Sequence, residues 1–338
     1  MTETSSTNSQ AKKAPPLKKA AFIATDQILE HFDTYFPLIC PDGCPRWKEW
    51  EFVTNPTEGQ FDAMGAFQSV EPLNREYRLQ VPPTKTLLTV MEPPEILTFP
   101  DGFTNQFHSV LSQSRHIKCR NPMVSHSGHH WFIERAYNQI LDCSDIEKTK
   151  LLSMVISSKQ DTEGHRKRWK LAQALKEHFG DCIDWFGRGV QELKYKRDGV
   201  LPYQYHIVLE NSSVPHYWTE KIADAFVSNS FPFYWGDPKI AEHFPAEAMV
   251  SIDIDHPDRC IAAIESAIDQ HFANTHQTAM LAARTRLLQD HHRHETYRKI
   301  WNAAPESPPA LVTIQPHSEF LFSVRQKLRF YQQKLFTG

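Results

Sequence analysis

The second half of the chain alternates short apolar runs with amphipathic stretches. Residues 151–159 (LLSMVISSK) begin with a continuous apolar run that predicts a buried strand. In the stretch EGHRKRWKLAQALKEHFG, apolar residues recur at helical spacing until Gly180 ends the predicted helix. Further strands are predicted at CIDWFGRG, YHIVLENS, FPFYWGDPKI and AMVSIDI, and further helices at YWTEKIADAFVSNS and PDRCIAAIESAIDQHF. This alternation predicts right-handed βαβ units around a mainly parallel sheet.

The first half has a less regular pattern, with short apolar runs and many prolines. Its clearest element is KTLLTVME, residues 85–92, which predicts a buried strand ending in a carboxylate. A chain of 338 residues is longer than one ordinary core comfortably holds, so two domains are expected. We predict a disordered tail over residues 1–20, an N-terminal domain over 21–145, a C-terminal domain over 146–300 and a helical segment over 301–338.

The composition excludes several classes of protein. Hydrophobic residues make up 40% of the chain, which argues against wholesale disorder, and the net charge of -3 does not favour nucleic-acid binding. No apolar run reaches the roughly 18 residues of a spanning helix, and the polar N-terminus lacks the core of a secretory signal. We therefore expect a cytoplasmic protein whose six cysteines are reduced thiols.

The polar residues of greatest chemical interest follow the predicted strands of residues 205–245. Glu210 and Asn211 end one strand, while Tyr217, Glu220 and Lys221 open the next helix. A helix N-terminus with a lysine in its first turn suits an anion such as a diphosphate, and a nearby carboxylate suits sugar hydroxyls. From residue types alone, a capped helix with a solvated Glu–Lys pair is the simpler interpretation.

The order of these residues resembles the signature of family 10 glycosyltransferases, the α-1,3/α-1,4-fucosyltransferases. That signature runs from an aromatic-apolar strand through Glu-Asn-Ser/Thr and Tyr-x-Thr-Glu-Lys to an amphipathic helix and Pro-x-aromatic-Trp-Gly-x-Pro. Every element is present in residues 205–245, and a looser match continues upstream through SSK, HRKR and DWFGRG. The resemblance implies a GT-B fold: two Rossmann-like domains with mainly parallel sheets, facing across a cleft.

The resemblance also implies a set of residues that bind the sugar-nucleotide donor. The set is Arg166, Asn211, Tyr217, Glu220 and Lys221. Lys221 would meet the diphosphate of GDP and Glu220 the ribose, while Asn211 and Tyr217 would line the pocket. Arg166 matches an arginine that the family carries on the helix after the SSK strand, and Arg168 is its rival for that position.

The implied catalytic base is Glu92, because the family places a glutamate at a strand end of the N-terminal domain. The match is loose here, since no tyrosine precedes Glu92 and prolines replace the asparagine that should follow it. Glu95, three residues later, competes for the same role. By itself, a glutamate that ends a strand is usually only solvated.

The activity implied by the resemblance is an inverting transfer of L-fucose from GDP-fucose to a hydroxyl of a glycan acceptor. The acceptor would be an oligosaccharide or glycolipid, as in surface polysaccharide synthesis. The fucose would be linked to position 3 of a GlcNAc or glucose residue. Two alternatives stay open at this point. One is a glycosyltransferase of the same fold that uses another GDP-sugar, and the other is a non-catalytic module that binds glycans or nucleotides.

Three further patterns are interpreted as structural. The histidines of residues 126–130 (HSGHH) and 291–294 (HHRH) have no carboxylate set between them, so we expect solvated surface. Asp253-x-Asp255 is similar to a metal-binding DxD motif, but we interpret it as the end of a strand. We therefore expect no metal site there, and we expect no cofactor. Residues 318–338 predict an amphipathic basic helix, either packed on the fold or lying peripherally on the inner membrane.

Overall fold

The computed structural model describes residues 16–68, 72–93, 97–115, 117–141 and 145–323. They form an α/β protein with two mainly parallel sheets, which confirms the predicted fold class. The elements of the first half are β1 (Lys18–Ile23), α1 (Asp26–Ile39), β2 (Arg46–Trp47), β3 (Trp50–Thr54), β4 (Ala63–Gln68), β5 (Tyr77–Val81), β6 (Thr86–Val90), α2 (Asp101–Thr104), β7 (Ser109–Ser112), β8 (Asn121–Val124) and α3 (Tyr137–Leu141). The elements of the second half are β9 (Lys150–Val155), α4 (Glu163–Phe179), β10 (Ile183–Phe186), β11 (Tyr203–Leu209), α5 (Glu220–Val227), β12 (Phe231–Trp235), β13 (Val250–Ser251), α6 (Pro257–Asp269), α7 (Phe272–Thr275), α8 (Gln277–Gln289), α9 (Arg293–Ala303) and β14 (Ala310–Ile314).

The first sheet has the strand order β2-β3-β1-β4-β6-β7-β8. Its neighbouring strands run parallel, except for the antiparallel pair β2 and β3. β6 lies in the interior of the sheet and is buried along its whole length, as the apolar run of residues 85–92 predicts. Glu92 therefore follows the carboxyl end of a central strand.

The second sheet has the order β10-β9-β11-β12-β13 and is parallel throughout. Each strand and helix that the sequence predicts between residues 151 and 272 is confirmed. The strand order reverses between β9 and β11, because β10 pairs on one side of β9 and β11 on the other. In open parallel sheets, ligands bind at such a reversal, in the crevice beyond the carboxyl ends of the strands.

Local sequence explains how the two helices at this crevice begin. α4 starts after Thr162, whose hydroxyl accepts a hydrogen bond from the His165 amide, and α5 starts after Thr219, which accepts one from the Lys221 amide. Both threonines satisfy backbone donors that a helix leaves unpaired in its first turn. The N-termini of α4 and α5 consequently point toward the crevice after β9 and β11.

The last described part of the chain returns to the first domain. On α9, the Tyr297 ring packs 5.3 Å from Phe22 and the Trp301 ring 5.1 Å from Trp50, both in the first sheet. β14 then pairs antiparallel with β5. The predicted helical segment of residues 301–338 thus contains a strand, and its residues 324–338 lie outside the described part of the chain.

The two histidine-rich stretches lie at the junction between the domains, so the expectation of a solvated surface was wrong. His126, His292 and His294 are at most 7% exposed. The His292 ring stacks on Trp47 at 3.8 Å, and its Nε2 donates to the backbone oxygen of Ile39 at 2.8 Å. Among the described helices, none combines the length and apolar character needed to cross a bilayer.

Candidate active site

A buried carboxylate organises the carboxyl end of β11. Glu210 follows β11 directly, and its side chain has no exposed surface. Its two carboxylate oxygens accept hydrogen bonds from the backbone N–H of Thr219, at 2.8 Å, and from the Thr219 hydroxyl, at 2.7 Å. Burial raises the pKa of Glu210, and the Lys221 charge opposes that rise. These bonds hold the first turn of α5 against the strand end.

Lys221 lies in this first turn, where the sequence predicts it. Its Nζ is 3.4 Å from the Glu210 carboxylate and 3.2 Å from that of Glu220, and it donates to the Thr219 hydroxyl at 3.0 Å. Burial alone would lower the pKa of Lys221, but Glu220 and Glu210 raise it. Lys221 is therefore a firmly charged ammonium at a helix N-terminus, a position that favours anions.

Glu220 and Asp224 share a second lysine, Lys196, which the sequence reasoning missed. The Lys196 Nζ is 2.6 Å from the Asp224 carboxylate and 3.5 Å from that of Glu220. Burial would raise the pKa of Glu220, but Lys221 and Lys196 lower it, so Glu220 is ionised. Asp224 also accepts the backbone N–H of Phe132 from the segment that joins the domains, at 2.5 Å. The signal for Lys196 was weak because it lies in a short 3-10 turn with two other basic residues, Lys194 and Arg197, beside it.

The two candidate arginines of α4 occupy opposite faces of the helix. Arg168 is 6% exposed and donates to the backbone oxygen of Leu209, at the end of β11, at 3.1 Å. Burial lowers the pKa of Arg168, and the charge of the Glu210 carboxylate opposes this. Arg166 is exposed and donates to the backbone oxygen of Gln160. The structure thus brings Arg168, and not Arg166, to Glu210 and Tyr217.

Tyr217 is a buried residue of the site that is influenced by charges from both sheets. It is 2% exposed, and burial raises the pKa of its phenol, with further contributions from the charges of Glu210 and Glu92. Glu92 is half-buried at the carboxyl end of β6 in the first sheet, so its carboxylate acts on Tyr217 across the domain boundary. Glu95 lies outside the described residues.

Two glycines allow close packing against Glu210 and Asn211 at the end of β11. A Cβ at Gly164, in the first turn of α4, would stand 2.2 Å from the Asn211 backbone oxygen. A Cβ at Gly236, just after β12, would stand 2.5 Å from the Glu210 side chain. Any larger residue at either position would push α4 or the β12 turn away from the strand ends. Asn211 itself is half-buried at this crevice.

The site combines fixed cations at helix N-termini with ionised carboxylates at a strand-order reversal. Lys221 and Arg168 suit the negative charge of a diphosphate, and Glu220 suits vicinal hydroxyls. A carboxylate from the opposite domain reaches the same region. Two mainly parallel α/β sheets thus contribute side chains to one crevice.

Comparison with known proteins shows what the second half of the chain is similar to. Residues 146–270 match the model of the C-terminal domain of glycosyltransferase family 10 (fucosyltransferase). The chain is 32% identical over 90 residues to an alpha-(1,3)-fucosyltransferase, FucT, from Helicobacter pylori. That match covers 26% of this chain and 18% of the relative, so it spans about a fifth of the relative's length.

Solved structures of lower similarity include an alpha1,3-fucosyltransferase crystallised with GDP. It is 18% identical, with a TM-score of 0.48, over 88% of this chain and 92% of that one. The same comparison with a GDP-fucose-bound alpha1,3-fucosyltransferase gives 17% identity and a TM-score of 0.45, over 97% of this chain and 93% of that one. The pneumococcal O-GlcNAc transferase GtfA, crystallised with UDP and GlcNAc, is 12% identical with a TM-score of 0.38, over 64% of this chain and 51% of that one.

Proposed function

We propose that the protein transfers L-fucose from GDP-fucose to a hydroxyl of a glycan acceptor, with inversion to an α-linkage. The observation that carries the proposal is the site after β11: Lys221 and Glu220 open α5 within the segment that matches family 10. The buried Glu210 positions that helix turn through Thr219. This is the arrangement that a nucleotide diphosphate requires at the end of a parallel strand.

Lys221 and an arginine of α4 hold the diphosphate in this proposal. When GDP-fucose binds, its phosphate oxygens take over part of the contact that Lys221 makes with Glu210 and Glu220. As the bond between the fucose C1 and the diphosphate oxygen breaks, negative charge builds on GDP, and the fixed cations stabilise it. The burial of Arg168 beside Tyr217 supports Arg168 for this role, whereas Arg166 would meet the ligand only from solvent.

The donor sugar and ribose contact the polar residues around the cations. We assign the ribose hydroxyls to Glu220, whose ionised carboxylate accepts their hydrogen bonds. Asn211 and Tyr217 line the pocket that holds the fucose in place. Because Lys221 and Arg168 supply the positive charge, we propose that the transfer uses no divalent metal and no cofactor.

Glu92 is the proposed base. The acceptor hydroxyl attacks the fucose C1 from the face opposite GDP, its proton passes to the Glu92 carboxylate, and GDP departs with the electron pair of the broken bond. Attack opposite the leaving group inverts the anomeric centre. The position of Glu92 in the N-terminal domain, where its charge acts on Tyr217, supports this assignment.

We propose that the acceptor is an oligosaccharide or glycolipid of a surface polysaccharide. The accepting hydroxyl would be at position 3 of GlcNAc or glucose, and the reaction would take place in the cytoplasm.

The donor specificity is tested by release of GDP from a panel of GDP-sugars in the presence of mixed glycan acceptors. The expected result is acceptor-dependent GDP release from GDP-fucose and much slower release from GDP-mannose and other GDP-sugars. Faster release from another GDP-sugar would replace fucose in the proposal. Binding of GDP-fucose with no release from any donor would indicate a non-catalytic binding module.

A further inference from the structure

We propose that His216, Asp237 and His243 form a binding site for one divalent transition-metal ion of the zinc type. One ligand atom of each residue lies within 4.8 Å of the other two. His216 Nδ1 is 3.1 Å from His243 Nε2, which in turn is 3.7 Å from the Asp237 carboxylate. In tetrahedral zinc sites with bonds of about 2.0–2.1 Å, neighbouring ligand atoms are roughly 3.3 Å apart. The first of these separations is close to that spacing and the second is a few tenths of an ångström longer, so small side-chain adjustments would bring the atoms to the edges of such a site.

Asp237 provides the strongest sign that a cation is needed. Its side chain is fully buried, and its Oδ1 accepts backbone N–H bonds from His216, at 2.8 Å, and Lys239, at 2.7 Å. Its Oδ2 has no hydrogen-bond partner among the described residues. A buried carboxylate oxygen without a partner is costly, because it has lost its water without gaining a donor. One imidazole nitrogen of each of His216 and His243 lies within 4.8 Å of the Asp237 ligand oxygen, and a bound cation would satisfy all three atoms at once.

Hydrogen bonding between the histidines alone leaves this carboxylate unsatisfied. A single proton shared between His216 Nδ1 and His243 Nε2 gives one hydrogen bond, and Asp237 Oδ2 receives none. Neutral imidazole and carboxylate are the ligands that zinc and cobalt prefer. His216 is half-buried, so the fourth coordination position opens toward solvent and a water molecule can occupy it.

A second histidine group, His126 with His291 and His243, does not fit a metal. The Gly128 amide donates to His126 Nδ1 at 3.1 Å, which places the proton of the neutral ring on Nε2. That proton points at His291 Nδ1, 2.9 Å away, and the His291 Nε2 proton points at the His243 backbone oxygen, 3.0 Å away. This chain of hydrogen bonds is complete without a cation. It fixes the backbone of His243 and so supports the proposed ligand.

The bound ion would brace the loop that carries Tyr217. His216 immediately precedes Tyr217 and has a left-handed backbone (φ 64°), whereas Asp237 lies in the turn after β12. Coordination ties these two segments to His243 and holds the left-handed residue in place. The proposed role is structural, and it is independent of the sugar donor and of the transfer reaction.

The test is titration of the untagged, chelator-treated full chain with Co²⁺, followed by absorption spectroscopy and competition with Zn²⁺. We expect one equivalent of Co²⁺ with the visible band of four-coordinate cobalt, displacement by Zn²⁺ and a raised melting temperature. Asp237→Asn and His216→Asn remove ligand atoms, and asparagine tolerates the left-handed backbone at 216. Both should weaken binding by more than about 100-fold, since even residues that only support metal ligands cost 10- to 100-fold.

His256→Asn is the matched control, because His256 forms an exposed pair with Asp253 at 2.7 Å, away from the proposed ligands. It should leave the stoichiometry and affinity unchanged. Absence of stoichiometric binding to the wild type would overturn the proposal. Equal binding by Asp237→Asn and the wild type, with circular dichroism showing a folded variant, would also overturn it, as would equal loss in His256→Asn. None of these readings depends on GDP-fucose turnover.

Discussion

Lys221 is the residue whose charge should decide GDP binding. It lies in the first turn of α5 with its Nζ 3.2 Å from Glu220. We predict that GDP raises the melting temperature of the wild type and that Lys221→Ala removes most of this shift, since a 100-fold loss of affinity forfeits about 2.7 kcal/mol of ligand stabilisation. Lys239→Ala, which removes an exposed lysine paired with Glu242, is the control. An undiminished GDP shift in Lys221→Ala would exclude the diphosphate role.

The two arginines of α4, Arg166 and Arg168, allow a direct test of which one contacts the diphosphate. We predict that Arg168→Gln lowers kcat/KM for GDP-fucose by roughly 10²- to 10³-fold, the usual cost of losing one donor to developing charge. Arg166→Gln should have little effect because its side chain is exposed and bonded only to the Gln160 backbone among the contacts described. Steady-state kinetics on the two folded variants decides between them. The opposite ranking would restore Arg166 as the leaving-group contact.

Glu92 is the residue on which the chemical step should depend. A sugar hydroxyl is a poor nucleophile at neutral pH, and general-base assistance contributes roughly 10²- to 10⁴-fold. We predict that Glu92→Gln lowers kcat by about that factor with GDP affinity nearly unchanged, because the substitution keeps the shape and removes the basicity. Glu95→Gln serves as the matched control and should do much less. An inactive Glu95→Gln beside an active Glu92→Gln would show that the assigned register is wrong.

At the scale of single elements, the sequence predicted the second domain well because its pattern is regular. Continuous apolar runs correctly predicted β9 and β11, and apolar residues at helical spacing correctly predicted α4 and α6. Threonine caps and glycine stops set the helix ends. The same local signals could not choose between Arg166 and Arg168, because a shift of two residues turns a side chain by more than half a helical turn.

Local sequence patterns could not predict contacts between elements that are distant in the sequence. The Lys196–Asp224 pair joins a 3-10 turn to α5, and the Phe132 amide donates to Asp224 from the segment that joins the domains. The buried histidines were missed for the same reason. Without known tertiary partners, a polar residue is predicted to lie on the surface. The partners of His292 are Trp47 and Ile39, which are far away in the sequence, so no local pattern indicates its burial.

The C-terminal segment offers a prediction about a single element. Phe320 packs on Phe103, with ring centroids 6.0 Å apart, so a truncation should spare it. If the basic stretch of residues 324–338 docks on a membrane, a chain ending at Ser323 should keep its rate on soluble acceptors and lose binding to anionic vesicles. Vesicle co-sedimentation and kinetics measure the two properties. Aggregation of the shortened chain would show that the segment packs on the fold instead.

At the scale of the whole molecule, buried histidines should make the protein sensitive to acid. Burial lowers the pKa of His292, His206 and His129 to about 3 in each case. An unfolded histidine has a pKa of about 6.5, so the unfolded state binds more protons between these values. The contribution of these neutral histidines to the free energy of unfolding is therefore fully present above about pH 6.5. It is lost as the pH falls toward their pKa in the folded state.

Urea unfolding at several pH values between 7.5 and 4.5 measures this loss. We predict a falling free energy of unfolding, with each buried neutral histidine contributing up to about 1.4 kcal/mol per pH unit. His292→Asn should make the slope shallower by about one proton, whereas His256→Asn, at an exposed site, should not change it. A slope that is identical in His292→Asn and the wild type would contradict the buried, neutral state of His292.

Transfer of fucose at the crevice beyond the strand ends is the proposed activity of this protein. Mass spectrometry of acceptors incubated with the full chain and GDP-fucose tests it most directly, using a panel of glycans that ends in GlcNAc or glucose. We expect a product one deoxyhexose heavier, α-linked by NMR, whose yield falls with Glu92→Gln and Lys221→Ala. No modified acceptor across the panel, despite tight binding of GDP-fucose, would contradict the claim.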